Sequence, residues 1–385
     1  MKVLQLTKFY PPVKGGIESV VFELTEGLNR SGMPTDVLCA NLSPQTLTET
    51  FPLGYRVTRV ASWGKLLSTS VAPGMLRQLR RHSRDADLLH VHLPDPLTNL
   101  ALWWHPPTVP LVVHWHSDVV AQQRALMFYA PLQQWLLRRA AAIVATSSAY
   151  AESSPWLQPF RDKVALVPIG IPDPAPPLPE QVDAVRRRYG GRRIVLGLGR
   201  MTSYKGFDVL IEAAQSLPVD TVVVVGGSGE LLPAHRAHVG RLGLSKRVLF
   251  VGQIEAAELL AHFAAADVFC LPSTTRAEAF GVVLLEAMAM ARPVVATAIP
   301  GSGVPWVNQH GVTGINVPPG NADALARALC DLLGDPDRRR ELGRKARERF
   351  LSKFTSEQMI ASIQALYRNL PEFRGTREAA QSADI

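Results

Sequence analysis

The sequence predicts an α/β protein made of two doubly wound, parallel-sheet domains. Three observations carry that expectation. The chain has 385 residues, too many for one ordinary domain and suited to two of about 170–190 each. Short Val- and Leu-rich runs alternate with longer amphipathic runs, the rhythm of strands covered on both faces by helices. The rhythm stops once, at Ile171-Pro172-Asp173-Pro174-Ala175-Pro176-Pro177-Leu178-Pro179, and then starts again.

Taken in order, strands are expected at Lys2–Leu6, Thr35–Ala40, Leu88–Val91, Leu111–His114, Ala142–Thr146 and Val164–Pro168, with helices at Gly16–Ser31, Pro73–Arg84 and Ala121–Arg139. The opening apolar run is too short for a signal peptide and reads as the first buried strand. The proline stretch lacks donors and has fixed φ, so residues 172–179 read as a stiff linker. Beyond it, strands are expected at Ile194–Leu198, Thr221–Val225, Val248–Val251, Val268–Leu271, Val294–Thr297 and Ile315–Val317. Helices are expected at Phe207–Ser216, Ala256–Ala266, Val282–Ala291, Ala322–Gly334, Asp337–Phe350 and Ser356–Leu370. The expected layout is therefore two Rossmann-like domains, 1–171 and 180–354, then a helix within 355–371 and a disordered tail, 372–385. Facing domains of this kind place an interdomain cleft at the C-terminal ends of both sheets, where open α/β sheets bind ligands.

Composition narrows the function classes. With 47% hydrophobic and 19% charged residues, the chain is neither disordered nor fibrous. Its formal charge of +8 suits anionic lipid or phosphate ligands and equally a solvated surface. No basic cluster is interleaved with aromatics, so nucleic acid is not expected. Cys39, Cys270 and Cys330 stand far apart without Cys-x-x-Cys spacing, which points to a reducing, cytoplasmic setting and away from a metal site. No run reaches about 18 apolar residues, so no spanning helix is expected. Arg77, Arg80, Arg81 and Arg84, with Leu76 and Leu79, read either as a solvated basic helix or as a peripheral contact with an anionic membrane.

Four segments carry chemistry. The sharpest is Arg276-Ala277-Glu278-Ala279-Phe280-Gly281-Val282-Val283-Leu284-Leu285-Glu286, after the strand ending at Leu271. Backbone N–H groups of Gly281, Val282 and Val283 at a helix start favour a phosphate. Glu286, a turn further in, suits ribose hydroxyls; the alternative is that Glu278 is a cap or dipole partner and Glu286 a satisfied structural acid. The second is Gly197-Leu198-Gly199-Arg200-Met201-Thr202-Ser203-Tyr204-Lys205-Gly206, where two cations on a strand–loop–helix turn can converge on a diphosphate and stabilise it as it leaves, or stand solvated. Third, Gly15 and Gly16 after the first strand allow close backbone approach to a phosphate or sugar, or make a tight turn. Fourth, His116 in His114-Trp115-His116-Ser117-Asp118 ends a strand at the cleft and can bond a sugar hydroxyl, as His90 and His92 can one strand earlier; a packed histidine is the plainer reading for each. Trp103, Trp104 and His105 read as structural.

Together, Glu278-x7-Glu286, Arg200 with Lys205, Gly15-Gly16 and His116 resemble the GT-B retaining glycosyltransferases known as group 1 or family 4, over roughly residues 1–370. The resemblance implies that Glu278 contacts the transferred sugar, Glu286 the ribose, Arg200 and Lys205 the diphosphate, Gly16 a phosphate or the acceptor, and that His116 lies near the donor sugar. The base is expected on backbone near Gln253 and Ile254. The first domain would bind acceptor, the second the nucleotide sugar, and the helix at 356–370 would brace the first domain. The chain departs from the common pattern at Pro168-Ile169-Gly170-Ile171-Pro172, where members commonly read Pro-Asn-Gly-Ile-Asp, and at Gly301-Ser302-Gly303-Val304-Pro305-Trp306, where they carry Gly-x-Pro-Glu. Both departures resemble the branch that builds bacterial surface polysaccharides from GDP-mannose or related GDP-deoxyhexoses.

The implied activity is a retaining, metal-independent hexosyl transfer without a cofactor, from a GDP-sugar to a glycan or polyprenyl-diphosphate-linked acceptor. No carboxylate pair suggests the closely spaced nucleophile and acid of a double displacement, so front-face substitution is expected. The rivals are a UDP-sugar transferase of the same fold, a sugar-nucleotide epimerase and a non-catalytic nucleotide-sugar binder. A dehydrogenase is disfavoured by the cations at 200 and 205.

Overall fold

The computed structural model describes residues 1–13, 15–66, 69–118 and 123–373. It divides into two compact units, Met1–Pro172 together with the chain from Ser356 onward, and Asp173–Thr355.

The first unit contains β1 (Val3–Thr7), α1 (Gly16–Arg30), β2 (Thr35–Ala40), β3 (Leu47–Thr50), β4 (Arg56–Val60), a small hairpin of β5 (Lys65–Leu66) and β6 (Thr69–Ser70), α2 (Met75–His82), β7 (Leu88–Leu93), α3 (Pro96–Trp104), β8 (Leu111–Trp115), α4 (Gln123–Arg139), β9 (Ala142–Ala145), α5 (Ser148–Ser153) and β10 (Val164–Leu166). Its main sheet runs β10-β9-β8-β7-β1-β2-β4-β3, parallel except at the edge strand β3. From β1 the order grows one way to β2 and the other way through β7 and β8, so the switch point lies between β1 and β7.

The second unit contains α6 (Pro179–Arg188), β11 (Arg193–Leu198), α7 (Phe207–Ala213), β12 (Thr221–Gly226), α8 (Leu232–Arg241), β13 (Val248–Gly252), α9 (Ala256–Ala265), β14 (Val268–Leu271), α10 (Val282–Ala289), β15 (Val294–Thr297), α11 (Val304–Val307), β16 (Gly314–Val317), α12 (Ala322–Gly334) and α13 (Pro336–Lys353). The parallel sheet β13-β12-β11-β14-β15-β16 switches between β11 and β14, which pair Val195 with Val268 and Leu196 with Phe269. Val195, Val223, Val268 and Val295 from its strands pack with Leu210 of α7 and Leu329 of α12 in one buried core. That continuous apolar character is what a sheet covered on both faces requires.

The chain returns to the first unit as α14 (Ser356–Arg368). Ser356 N–H donates to Ile171 O at 2.8 Å, Gln364 Nε2 donates to Ser31 Oγ at 2.6 Å, and Ile360 fills the space a side chain on Gly27 of α1 would take. A further turn closes at Phe373, whose N–H donates to Leu370 O, so order extends past the expected start of the tail at 372. The remainder of that tail, and Ala121 and Gln122 of the expected helix, lie outside the described residues.

Several elements were not expected. β4 carries Arg59 in its interior, which breaks the apolar signal. The guanidinium is nonetheless buried, donating to Glu49 Oε2 at 2.6 Å, to Tyr10 O at 3.1 Å and to Pro11 O. α6 starts at Pro179, the last residue of the expected linker, because proline is suited to the first helical position and Gln181 Oε1 accepts the Leu178 N–H at 2.9 Å. α3 and α8 were also unexpected. Among the described residues no helix is long and apolar enough to cross a membrane.

Candidate functional site

The switch point of the second unit explains why residues 73 positions apart meet. The chain leaves β11 into the loop holding Arg200 and Lys205, and leaves the neighbouring β14 into the loop holding Glu278. Lys205 Nζ lies 2.5 Å from Glu278 Oε2, and Ser273 Oγ donates to the same oxygen at 2.9 Å. Glu278 is buried and Lys205 only slightly exposed, a setting in which an ion pair with a further hydrogen bond can persist and a lone charge is costly. Gly206 makes the approach feasible. Its φ is +66°, and an added Cβ would sit 2.1 Å from Pro272 O, so a side chain there would drive the Lys205 loop away from β14. Lys205 Nζ also lies 5.5 Å from the centre of the Tyr204 ring, while the exposed Arg200 donates to Tyr204 Oη at 3.3 Å. The two cations therefore flank one tyrosine. Glu278 Oε1 has no protein partner among the described residues.

The Glu278 loop is clamped from behind. Ser302 Oγ donates to Glu278 O at 2.5 Å, Gly303 N–H donates to Ala279 O at 2.7 Å, and Thr297 Oγ1 donates to Ser273 O at 2.5 Å. Phe280, expected among the donor-binding residues, turns its ring inward. Its ring is buried against Trp306 and Phe354, at centroid distances of 6.4 and 6.1 Å, so burial of apolar area holds it in the core and its side chain anchors the loop.

Gly281 opens α10 at φ +79° with no side-chain cap. An added Cβ would meet Leu284 Cδ1 at 2.9 Å, so the left-handed turn and the packing both call for glycine. The first N–H groups of α10 lack intrahelical partners by the geometry of any helix start. Val282, Val283 and Glu286 are its half-buried positions, on one side of an otherwise buried helix. Glu286 has no side-chain partner among the described residues, and burial pushes its carboxyl up to about 7. It retains a strip of accessible surface while protein atoms crowd it, which is the environment of an acceptor lacking its donor. Gln253 and Ile254 follow β13; Gln253 is exposed and Ile254 half-buried beside Gly226 at the end of β12.

In the first unit, His90 and His92 of β7 and His114 and His116 at the end of β8 form a buried layer of rings. Neighbouring rings stack, His114 on His116 at 4.2 Å with an interplanar angle of 7°. Hydrogen bonds order the layer. Gln5 Oε1 lies 2.7 Å from His92 Nε2, so with the amide in this orientation Nε2 carries the proton and Nδ1 accepts. His116 Nε2, 2.9 Å from His92 Nδ1, is then the donor, and His116 presents an unprotonated Nδ1. His90 Nδ1 meets Tyr367 Oη of α14 at 2.5 Å. Both ring nitrogens of His114 are buried without a partner. Burial pushes His90 and His116 down to about 3, and burial with the neighbouring rings holds His92 and His114 well below the ordinary range. The layer is neutral. Donor nitrogens of His90, His92 and His114 lie within 4.8 Å of one another, yet both nitrogens of His92 are already engaged, so the three rings do not offer a common set of free ligands.

Gly15 precedes α1 in extended backbone, and the Glu18 carboxylate folds onto it, 2.1 Å from where a Cβ would stand. Gly16 is exposed with open space around it. Lys14 of the same loop lies outside the described residues. Sequence reasoning missed Ser273, Thr297 and Ser302, which hold the Glu278 loop; each is a single hydroxyl residue in a strand end or turn and gives no periodic signal. Trp103 and Trp104, read as structural, are exposed.

Comparison with known proteins bears on the whole chain. Residues 180–349 match the family model of glycosyl transferases group 1, and residues 15–170 match a glycosyl transferase 4-like domain. The chain is 33% identical over 376 residues to the O-antigen chain mannosyltransferase C of Escherichia coli, covering 97% of this chain and 99% of the relative. It is 32% identical over 359 residues to the D-rhamnosyltransferase WbpZ of Pseudomonas aeruginosa, covering 92% and 93%. Its fold is similar to that of Anabaena HepE in complex with UDP and glucose, at a TM-score of 0.78 and 20% identity, covering 96% and 100%. With both units matched and relatives aligned from end to end, the chain belongs to the group 1 glycosyltransferases and has their GT-B fold.

Proposed function

We propose that the protein transfers a mannosyl or rhamnosyl group from a GDP-sugar to a lipid-linked glycan in bacterial surface-polysaccharide assembly, with retention of configuration and without a metal. The observation that carries the reading is the Lys205–Glu278–Ser273 cluster at the sheet switch point, one loop before the uncapped start of α10 and the unpartnered Glu286. The names of the mannosyl- and rhamnosyltransferase relatives support the sugar and the pathway.

In this mechanism Glu286 accepts from the ribose hydroxyls, a contact that restores the donors its position lacks. Arg200, Lys205 and the N–H groups at Gly281, Val282 and Val283 neutralise the diphosphate as it departs, so stabilisation grows with the charge that develops. Two cations and a helix start supply this positive charge from the protein itself. Glu278, tethered through Oε2, offers Oε1 to a hydroxyl of the transferred sugar, and His116 offers Nδ1 to another. Gly15 and Gly16 face a phosphate or the acceptor, and Gln253 and Ile254 take the base. The C1–O bond to the diphosphate breaks while the acceptor oxygen bonds C1 on the same face, and the leaving oxygen takes the acceptor proton. A lipid-linked acceptor is met at the cytoplasmic face of a membrane, so peripheral association with an anionic bilayer belongs to this reading.

The test is a thermal-shift panel of GDP, UDP, ADP and their sugar conjugates on wild type and Glu286→Ala, since a ligand stabilises in proportion to its occupancy. A GDP-selective shift that shrinks in the variant is expected; a UDP- or ADP-selective shift would replace the donor, and no shift would remove the donor site. Transfer from the best donor, run in EDTA and followed by NMR, should keep its rate and yield the retained anomer.

A further inference from the structure

We propose that the hydroxyl of Tyr204 is a further binding group for the diphosphate, donating to one of its oxygens between Arg200 and Lys205. The proposal deepens the functional reading above and rests on its assignment of those two cations. Tyr204 lies in a short helical turn, Ser203–Lys205, between β11 and α7. Its backbone is pinned to the loop that carries Glu278. Thr274 N–H donates to Tyr204 O at 2.8 Å, and Thr274 Oγ1 donates to the same oxygen at 3.4 Å. The residue is half-buried, fixed at its backbone while its side chain keeps some access to solvent.

The phenol is set between two cations. Arg200 Nη2 donates to Tyr204 Oη at 3.3 Å, and Lys205 Nζ lies 5.5 Å from the ring centre. The Lys205 stem runs past Gly199, where an added Cβ would stand 3.3 Å from both Cδ and Cε, so a side chain at 199 would press the lysine off its line. A hydroxyl has one proton and two lone pairs. Arg200 takes a lone pair, and the proton has no protein acceptor among the described residues. Lys205 has Glu278 as its acid, while Arg200 has none among the described residues. An anion drawn to the two cations therefore meets an O–H whose proton is uncommitted and whose oxygen already faces a guanidinium. An O–H···O⁻ bond is charge-assisted and roughly twice as strong as a neutral one, and it adds no charge to the site. A phenylalanine would keep the ring against Lys205 and offer the phosphate nothing. The alternative role for the hydroxyl is to steady Arg200 alone, and the experiment separates the two.

The experiment is titration calorimetry of GDP, UDP and ADP on the full chain as wild type, Tyr204→Phe, Arg200→Gln and the double variant, compared with whichever diphosphate binds wild type. Tyr204→Phe is expected to weaken that diphosphate about 10–100-fold, the contribution of one hydrogen bond to a charged group. Its thermal midpoint without ligand should be unchanged, which separates a lost contact from misfolding. The same loss should appear when Tyr204→Phe is added to Arg200→Gln, because the hydroxyl meets the phosphate itself. Equal affinity in wild type and Tyr204→Phe would overturn the proposal. So would a loss that vanishes once Arg200 is replaced, since the hydroxyl would then act only through the guanidinium. Failure of all three diphosphates to bind wild type would instead overturn the donor reading on which the proposal rests.

Discussion

The two units equip their sheet edges with opposite electrostatics. In the second, a charged pair is largely shielded from solvent at the switch point, Lys205 against Glu278, with the unpartnered Glu286 on the helix that follows. In the first, four histidines are buried as neutral rings, ordered by Gln5 and Tyr367. A charged site sets up a local field before any ligand arrives, which the proposed function uses on a phosphate. A neutral layer instead fixes which nitrogen accepts, and it supplies hydrogen bonds without drawing in water or counter-ions. The same contrast makes the units respond to pH in opposite directions.

The largest effect tests the charged side. Lys205→Ala should lower kcat/KM by about 10²–10³-fold, the loss typical of one preorganised donor to developing negative charge. It should also lower the thermal midpoint, because Glu278 is left buried without its cation. An unaltered kcat/KM would mean that Lys205 serves only to hold Glu278.

Next comes Glu286→Gln. The folded-state pKa of Glu286 is raised to about 7 from 4.5, so burial favours the protonated acid. Its contribution to stability is complete below the unfolded value and is lost as pH rises through the folded one. Without ligand, Glu286→Gln should gain stability relative to wild type between pH 5 and 8, by about 1–3 kcal/mol at the upper end. Donor binding should weaken at the same time. Denaturant unfolding across that range would show the gap, and parallel curves would mean the carboxyl is solvated.

The smallest effect belongs to the first unit. The histidine values are depressed, so protons bind the unfolded chain first and stability falls as pH drops below the ordinary histidine value of 6.5. His114 has two unpartnered ring nitrogens, so His114→Leu gives up no hydrogen bond. It should lie within about 1 kcal/mol of wild type at pH 7.5 and lose less stability on acidification to pH 5. An unchanged acid limb would assign that loss to other groups.

Much of this was legible in sequence because it is written locally. Every strand expected in the second unit has a counterpart there, since Val-rich runs such as Thr221–Gly226 are buried on both faces. Glu278, Gly281 and Glu286 were legible because a strand end, a glycine turn and a helix start follow one another in the chain. β4 was not, because Arg59 looks like a break until Glu49 and two carbonyls are seen to satisfy it. The packing of Phe280 was not legible either, because its motif places it beside the expected donor residues while its ring turns into an aromatic core made with Trp306 and Phe354.

Sequence alone determined the repeated α/β rhythm, the break at the prolines and the motifs that carry the candidate site, because propensity, periodicity and turn chemistry act over a few residues. Tertiary structure decided which of them meet. Lys205 and Glu278 pair because β11 and β14 are neighbours across a topological switch, and the histidines form a layer because β7 and β8 are paired in register, His92 against His114. Pairings of that kind depend on strand order and burial, which are properties of the assembled sheet and appear in no short window of the chain.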